Sequence, residues 1–398
     1  MRVAFVTFEY PPKIEGGAGI YAVNLAKELV NIGHEVHVLT PCLTGCVREE
    51  VIDGVYVHRV DVIDKPYLLA LSFWINLREG LNSLNRQLGG IDILHGNNLT
   101  NLLIFQKVAP QIVTVHSTSS LSIHAEKPNV SKRLFDKGEN NYFYKYLERS
   151  VLNRSDIIIA NSLYTKKAIC ADIVLSAKES RVFVIPNGAS IRVVDPLQRD
   201  DELVIRKKFN LGDYPIILFV GRLVPRKGLQ FLIQAMKNLN ENGIRAKLIV
   251  VGDGSDRFTY IDLVNELNLN DQVIFTGYID DNLLEKIYSL CDIVAIPSIN
   301  EPFGIVALDA MIAGKPIVAF DSGALPEILE NTVNGMLVKS KDPIAFSEAL
   351  SKYLSDPELA QKVGKKNLEV VFSRYSWRKY AEELDRVYNF AIMKYRDE

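Results

Sequence analysis

Cysteine is too sparse in this chain to build a disulfide framework or a metal cluster. The four residues, Cys42, Cys46, Cys170 and Cys291, are scattered over 398 positions without Cys-x-x-Cys spacing, which reads as buried thiols in a reducing compartment. Long apolar runs are missing too. The longest, at 67–75, falls far short of the ~20 residues that cross a bilayer, and Glu9 interrupts the first run too early for a signal peptide. A cytoplasmic protein is the expectation, with room for weak peripheral contact at the inner face of a membrane. An excess of one charge is also lacking: 46 Lys and Arg meet 48 Asp and Glu, and a net charge of −2 gives no case for nucleic acid as a partner. All six histidines, from His34 to His124, lie in the first half, so any histidine chemistry belongs there.

What is present is an alternation of apolar strands and amphipathic helices, which argues for an α/β protein with parallel sheets. In the first half the strands read VAFVTF, EVHVLT, VYVHRV, DILHGN, IVTVHS, DIIIANS and VFVIPNG; in the second, IILFVG, KLIVVGDG, VIFTG, DIVAIPS, PIVAFDSG and GMLVK. The length exceeds what one core usually supports, so two domains are expected. The polar, proline-bearing stretch 193–201 separates them, giving an N-terminal domain at 1–192 and a C-terminal one at 202–375. Each half opens with a strand, a glycine-bearing loop and an amphipathic helix, as two Rossmann-like halves facing an interdomain cleft would. Several strands end in polar residues, among them His95, Asn97, Asn161 and Ser298, and ligands of open parallel sheets bind beyond those ends.

Three stretches carry candidate chemistry. Gly17-Ala18-Gly19-Ile20-Tyr21-Ala22 satisfies G-x-G-x-x-G/A, yet two prolines and a lysine intervene between the strand and Gly16, and the second strand ends without an acid for a ribose. A glycine loop presenting helix-terminal N–H groups to an anion fits better than a nicotinamide or flavin turn. Phe219-Val220-Gly221-Arg222-Leu223-Val224-Pro225-Arg226-Lys227-Gly228 offers a planar guanidinium and a mobile ammonium, together suited to a diphosphate; a solvated basic loop is the plainer alternative. In Ser298 to Met311, Glu301 sits at a strand-to-helix turn and Asp309 follows two turns on, so both carboxylates can meet sugar hydroxyls, or simply cap and solvate the helix.

Taken together these stretches resemble a family 4 retaining glycosyltransferase of the GT-B fold, over nearly the whole chain. The matching features are Gly16-Gly17, Val115-His116-Ser117, Val184-Ile185-Pro186-Asn187-Gly188, Gly221-Arg222 with Lys227-Gly228, Gly252-Asp253-Gly254, Glu301-Pro302-Phe303-Gly304 and Pro326-Glu327, specific in their order and spacing. The resemblance implies roles. Gly16 and Gly17 put N–H groups on the donor phosphates, and Arg222 and Lys227 neutralise the departing diphosphate. Glu301 and the amides of Phe303, Gly304 and Ile305 hold the transferred sugar, with His116 beside its reacting face. Asp309, where the family has Glu, binds the ribose, and the backbone at Gly277-Tyr278-Ile279 holds the base. His95, Asn161, Asn187 and Gly252 join the substrate-binding set.

The resemblance further implies a hexose donated by a nucleoside-diphosphate sugar to a glycan, glycolipid or small-molecule hydroxyl, with no cofactor and no metal. The transfer would keep the anomeric configuration by same-face attack, since no clear carboxylate nucleophile is offered. The last helical pattern, 376–395, would cross back to the first domain on Trp377, Tyr380, Leu384, Val387, Tyr388 and Ala391. The basic, aromatic stretch 131–146 could meet a lipid surface or an oligosaccharide, though an ordinary amphipathic helix is the plainer reading. A glycogen- or starch-synthase-like glucosyltransferase, a sugar-nucleotide epimerase and a non-catalytic sugar-nucleotide sensor are the alternatives.

Overall fold

The computed structural model describes residues 1–14, 16–65, 68–101, 108–118, 142–172, 179–189 and 197–397. They fall into two compact units. One takes the described residues up to Gly188 together with Trp377–Asp397; the other takes Ala189 and 197–376. The expected linker lies outside the described residues as far as 196, and the chain then enters the helix Arg199–Lys208. The basic, aromatic stretch lies outside them as far as 141; its end opens the helix Tyr142–Arg154, on which Tyr146 is exposed.

The first unit is built on β1 (Arg2–Val6), β2 (Glu35–Cys42), β3 (Glu49–Ile52), β4 (Val55–Asp61), β5 (Ile93–Asn97), β6 (Gln111–Val115), β7 (Ile157–Ala160) and β8 (Val182–Val184). They form one sheet in the order β3-β4-β2-β1-β5-β6-β7-β8. Along β1, Val3 and Phe5 enter one core and Ala4 and Val6 the other, so the strand is buried on both faces and reads as a continuous apolar run. Every pair is parallel except β3–β4. That strand has little apolar character. Its signal is the two-residue turn Asp53-Gly54, both at positive φ (49° and 81°), as a tight hairpin demands.

The second unit holds β9 (Ile216–Val220), β10 (Lys247–Val251), β11 (Val273–Gly277), β12 (Ile293–Ile296), β13 (Ile317–Phe320) and β14 (Met336–Val338), in the order β11-β10-β9-β12-β13-β14 and parallel throughout. Ile217 and Phe219 pack under the helices Leu229–Glu241 and Pro343–Ser355. Ile216 and Leu218 pack on the opposite face with Asp281–Leu290 and Ile305–Ile312. Strand order reverses at β1 in one sheet and at β9 in the other, and crevices for ligands open beyond the carboxyl ends at such points. Both units are thus α/β with parallel sheets. No described helix is long and apolar enough to cross a membrane.

The last helix, Trp377–Asp397, belongs to the first unit and lies on the helix Gly17–Asn31. Tyr380, Ala381, Leu384, Val387, Tyr388 and Ala391 form its buried face. Gly188 is required where this helix begins, because a Cβ there would stand 2.7 Å from the Trp377 nitrogen. Two tyrosine hydroxyls then bind inward: Tyr380 to the Tyr21 hydroxyl at 2.8 Å, and Tyr388 to His95 Nδ1 at 2.6 Å.

His95 is fully buried in β5, and its Nε2 meets Thr114 Oγ1 at 2.7 Å. Burial, with a smaller contribution from His116, pushes its pKa from the ordinary 6.5 down to about 3. Between those values the unfolded chain binds a proton that the folded chain refuses. The contribution of His95 is therefore intact above 6.5 and is lost as pH falls toward 3, by up to about 1.4 kcal/mol per pH unit. A His95→Gln variant removes this titration while carboxylates act equally on both proteins. Thermal unfolding from pH 6.5 to 4 should fall more steeply in the parent than in the variant. Parallel curves would contradict a buried neutral His95.

Candidate active site

In the second unit the residues singled out by sequence gather at the carboxyl ends of β9, β10 and β12. The loops are tied by their own backbone: Gly221 N–H donates to Val251 O, Leu223 N–H to Asp253 O, and Gly252 N–H to Gly277 O, at 2.9–3.0 Å. After β9 a short turn, Pro225–Lys227, leads into the helix Leu229–Glu241 through Gly228. Gly228 has φ of +70°, and a Cβ there would lie 1.8 Å from the Pro297 carbonyl oxygen, so only glycine lets the two loops touch. That contact lets Ile299 N–H reach Arg226 O at 2.9 Å and sets Lys227 against Glu301.

Lys227 Nζ donates to Glu301 Oε2 at 2.6 Å, with both side chains largely buried. Burial alone would raise the Glu301 carboxyl. The Lys227 ammonium and its hydrogen bond, helped by Arg226 and Ser298, outweigh that and hold it below its ordinary value. The Glu301 main chain is fixed as well, its carbonyl accepting from Ala324 N–H at 2.8 Å. Arg222, in contrast, is exposed, and its guanidinium makes no ion pair with a described residue. Phe303 is buried in the core, which leaves only its backbone for a ligand; Gly304 caps the helix Ile305–Ile312, its carbonyl accepting from Ala307 N–H at 2.9 Å, while the amides of Ile305 and Val306 precede any intrahelical acceptor. Ile305 is partly buried. Asp309 is buried on the same helix, and after burial its charge is the next cause raising the Tyr288 hydroxyl. Tyr278 stands 84% exposed beside Gly277.

In the first unit, His116 follows β6 directly and is clamped by three asparagines. Its N–H donates to Asn98 Oδ1 at 3.3 Å, its carbonyl accepts from Asn161 Nδ2 at 3.1 Å, and Nε2 meets Asn97 Oδ1 at 2.7 Å. Asn98 holds φ of +59°, a conformation asparagine tolerates better than most side chains. The ring edge meets Tyr21, centroids 4.5 Å apart, and the Tyr21 hydroxyl is held by Thr114 Oγ1 and Tyr380. Burial pushes His116 down to about 4, so it is neutral.

Several sequence-based assignments change at this level. His95 is not available to a substrate: it has no exposed surface and both ring nitrogens are engaged. The Asn161 amide serves the His116 carbonyl. Asn187 is buried, and its Oδ1 has no hydrogen-bond partner among the described residues. The Gly16 amide donates to Glu9 Oε2 at 3.1 Å, so a carboxylate of the chain itself occupies one helix-terminal N–H, while Gly17 opens the helix. Asn97 reads from sequence only as a polar strand end, and Asn98 and Tyr21 carry no assignment there. The pair Asn97-Asn98 beside the reversal at β1 is the signal that could have drawn attention. The remaining first-half histidines are structural where described: His37 Nδ1 and His58 Nε2 lie 3.0 Å apart.

Comparison with known proteins completes the picture. The profile for Glycosyltransferase Family 4 matches residues 15–192, and that for Glycosyl transferases group 1 matches 201–370. An uncharacterized glycosyltransferase of Methanocaldococcus jannaschii is 33% identical, covering 98% of this chain and 99% of its own. Among solved structures, sucrose-phosphate synthase from Thermosynechococcus elongatus superposes with a TM-score of 0.80 at 24% identity, covering 98% of this chain and 99% of that one. Anabaena HepE in complex with UDP-glucose gives a TM-score of 0.73 at 20% identity, covering 97% and 98%. The paired profiles, the full-length relative and the fold agree: the chain belongs to the family 4 glycosyltransferases of the GT-B fold.

Proposed function

We propose that this glycosyltransferase moves a hexose from a nucleoside-diphosphate sugar to a hydroxyl of a glycan, glycolipid or small-molecule acceptor, with retention and without a metal ion. The observation that carries the reading is the buried Lys227–Glu301 pair at the reversal of the second sheet, with exposed Arg222 in the same loop as Lys227. Two cations and a carboxylate there match the two ends of such a donor. The diphosphate takes Arg222 and Lys227; the sugar hydroxyls take Glu301 and the amides of Phe303, Gly304 and Ile305. Asp309 receives the ribose hydroxyls, and the backbone at Gly277 and Tyr278, next to Gly252, takes the base. By the family resemblance, the Gly16 and Gly17 amides and His116 complete the set of residues in this reading. HepE, a protein of the same fold, binds UDP-glucose, which supports a nucleotide-sugar donor.

In same-face transfer the bond from the anomeric carbon to the phosphate oxygen breaks as the bond to the acceptor oxygen forms. The acceptor proton passes to the departing phosphate. Negative charge grows on the diphosphate, so fixed cations aimed at it lower the barrier. Thermal shift across nucleotide sugars would select a donor, and release of nucleoside diphosphate with and without acceptor would then separate transfer from mere binding.

Lys227→Ala should slow transfer at least about tenfold and weaken nucleoside-diphosphate binding, since a hydrogen bond to a charged group is worth ~1.5–3 kcal/mol. Glu301→Ala should also abolish most transfer but leave diphosphate affinity unchanged or improved, because Lys227 loses its internal competitor. Isothermal titration with the diphosphate and with the intact sugar nucleotide reads the difference. If Glu301→Ala weakens both ligands equally, the carboxylate only positions the loop.

Because the leaving charge is assigned to Arg222 and Lys227, transfer should persist in excess chelator. Complete loss that magnesium or manganese restores would sink the metal-free part of the reading.

A further inference from the structure

Asn97, the last residue of β5, is 3% exposed and uses both ends of its amide. Its Nδ2 donates to the carbonyl of Ala18, in the first turn of the helix Gly17–Asn31, and to Thr7 Oγ1, each at 3.0 Å. A carbonyl oxygen only accepts, which fixes the nitrogen and oxygen of the amide. Oδ1 therefore faces His116 Nε2, and an amide oxygen also only accepts, so the proton sits on Nε2. In a neutral imidazole the other nitrogen is then a bare acceptor. Nδ1 makes no hydrogen bond to a described residue.

We propose that Asn97 is a positioning residue that locks His116 as the Nε2–H tautomer, so that Nδ1 receives a hydroxyl hydrogen of the transferred sugar and never donates one. The proposal rests on the reading above, which puts His116 beside the sugar. The surroundings keep the ring from reversing polarity. Among the described residues the titratable groups facing it are His95 from β5 and Tyr21 from the helix Gly17–Asn31, the latter bonded to Tyr380 of the last helix, and its hydrogen-bond partners are neutral asparagines. A carboxylate in place of the Asn97 amide would still accept from Nε2, but it would favour the imidazolium. Nδ1 would then acquire a proton and become a donor.

Nitrogen NMR of ring-labelled histidine in the full chain, with His116 assigned by its disappearance in His116→Gln, tests the tautomer directly. The expected result is a neutral Nε2–H ring from pH 8 to 5. An Nδ1–H ring, or an imidazolium at pH 7, overturns the proposal whatever the enzyme does. The second arm follows UDP release from UDP-glucose against pH. A carboxylate contact moves imidazole protonation up by about 1–3 pH units. Asn97→Asp should therefore lose about tenfold more at pH 5.5 than at pH 8, each relative to the parent, whereas Asn97→Leu, which merely loosens the ring, should lose equally at both. A loss in Asn97→Asp that ignores pH overturns the proposal. If His116→Gln releases UDP at the parent rate, His116 is not at the sugar; that outcome removes the underlying reading, and the NMR arm alone then judges the lock.

Discussion

Parallel strands cannot be joined by tight turns; each must return through a helix laid on one face of the sheet. That constraint puts the carboxyl ends of the parallel strands along one edge of each sheet and buries the strand bodies beneath helices on both sides. Polar chemistry can then be placed only where strands end. His116 after β6, Asn97 at the end of β5, the basic loop after β9 and Glu301 after β12 all obey it. The reversals at β1 and β9 decide which ends matter most, since neighbouring connections there leave on opposite faces and open a crevice.

At the second of these reversals a charge problem arises. A buried carboxylate and ammonium each resist leaving water, and only close pairing offsets the cost. Lys227 and Glu301 meet that condition at 2.6 Å, so the loop is held together by the same groups that the proposed function assigns to the donor. Removing either partner leaves a buried charge without compensation, a loss of about 3–5 kcal/mol in general. Arg222, by comparison, is exposed and makes no ion pair with a described residue.

Much of the fold was legible because both sheets are buried on two faces, which turns most strands into apolar runs, several of them (β5, β7 and β12) preceded by Asp and followed by polar residues. β3 escaped this pattern: Glu49 and Glu50 are exposed, and its evidence lay in the Asp53-Gly54 turn that follows it. The residues that meet at the ends of β9 and β12 had been singled out by the order and spacing of the family's motifs, no one of which is specific alone. What sequence does not reveal is register. His95 and His116 both look like histidines at strand ends, yet His95 lies inside β5, two residues before its end, while His116 follows the last residue of β6. That small offset separates a framework residue with both nitrogens engaged from a partly exposed one with a free acceptor.

The two units handle polarity by opposite means. The groups bonded to or stacked on His116 are neutral: burial lowers both histidines and raises the hydroxyls of Tyr21, Tyr380 and Tyr388, so that each can only donate or accept a hydrogen bond. Tyr21, Thr114, His95, Tyr380 and Tyr388 thereby form a directional network whose field does not change across the physiological pH range. The first unit thus gathers neutral, directional groups, and the second gathers paired charge. The last helix enters the neutral network through Tyr380, whose hydroxyl fixes Tyr21 and with it the face against which the His116 ring rests.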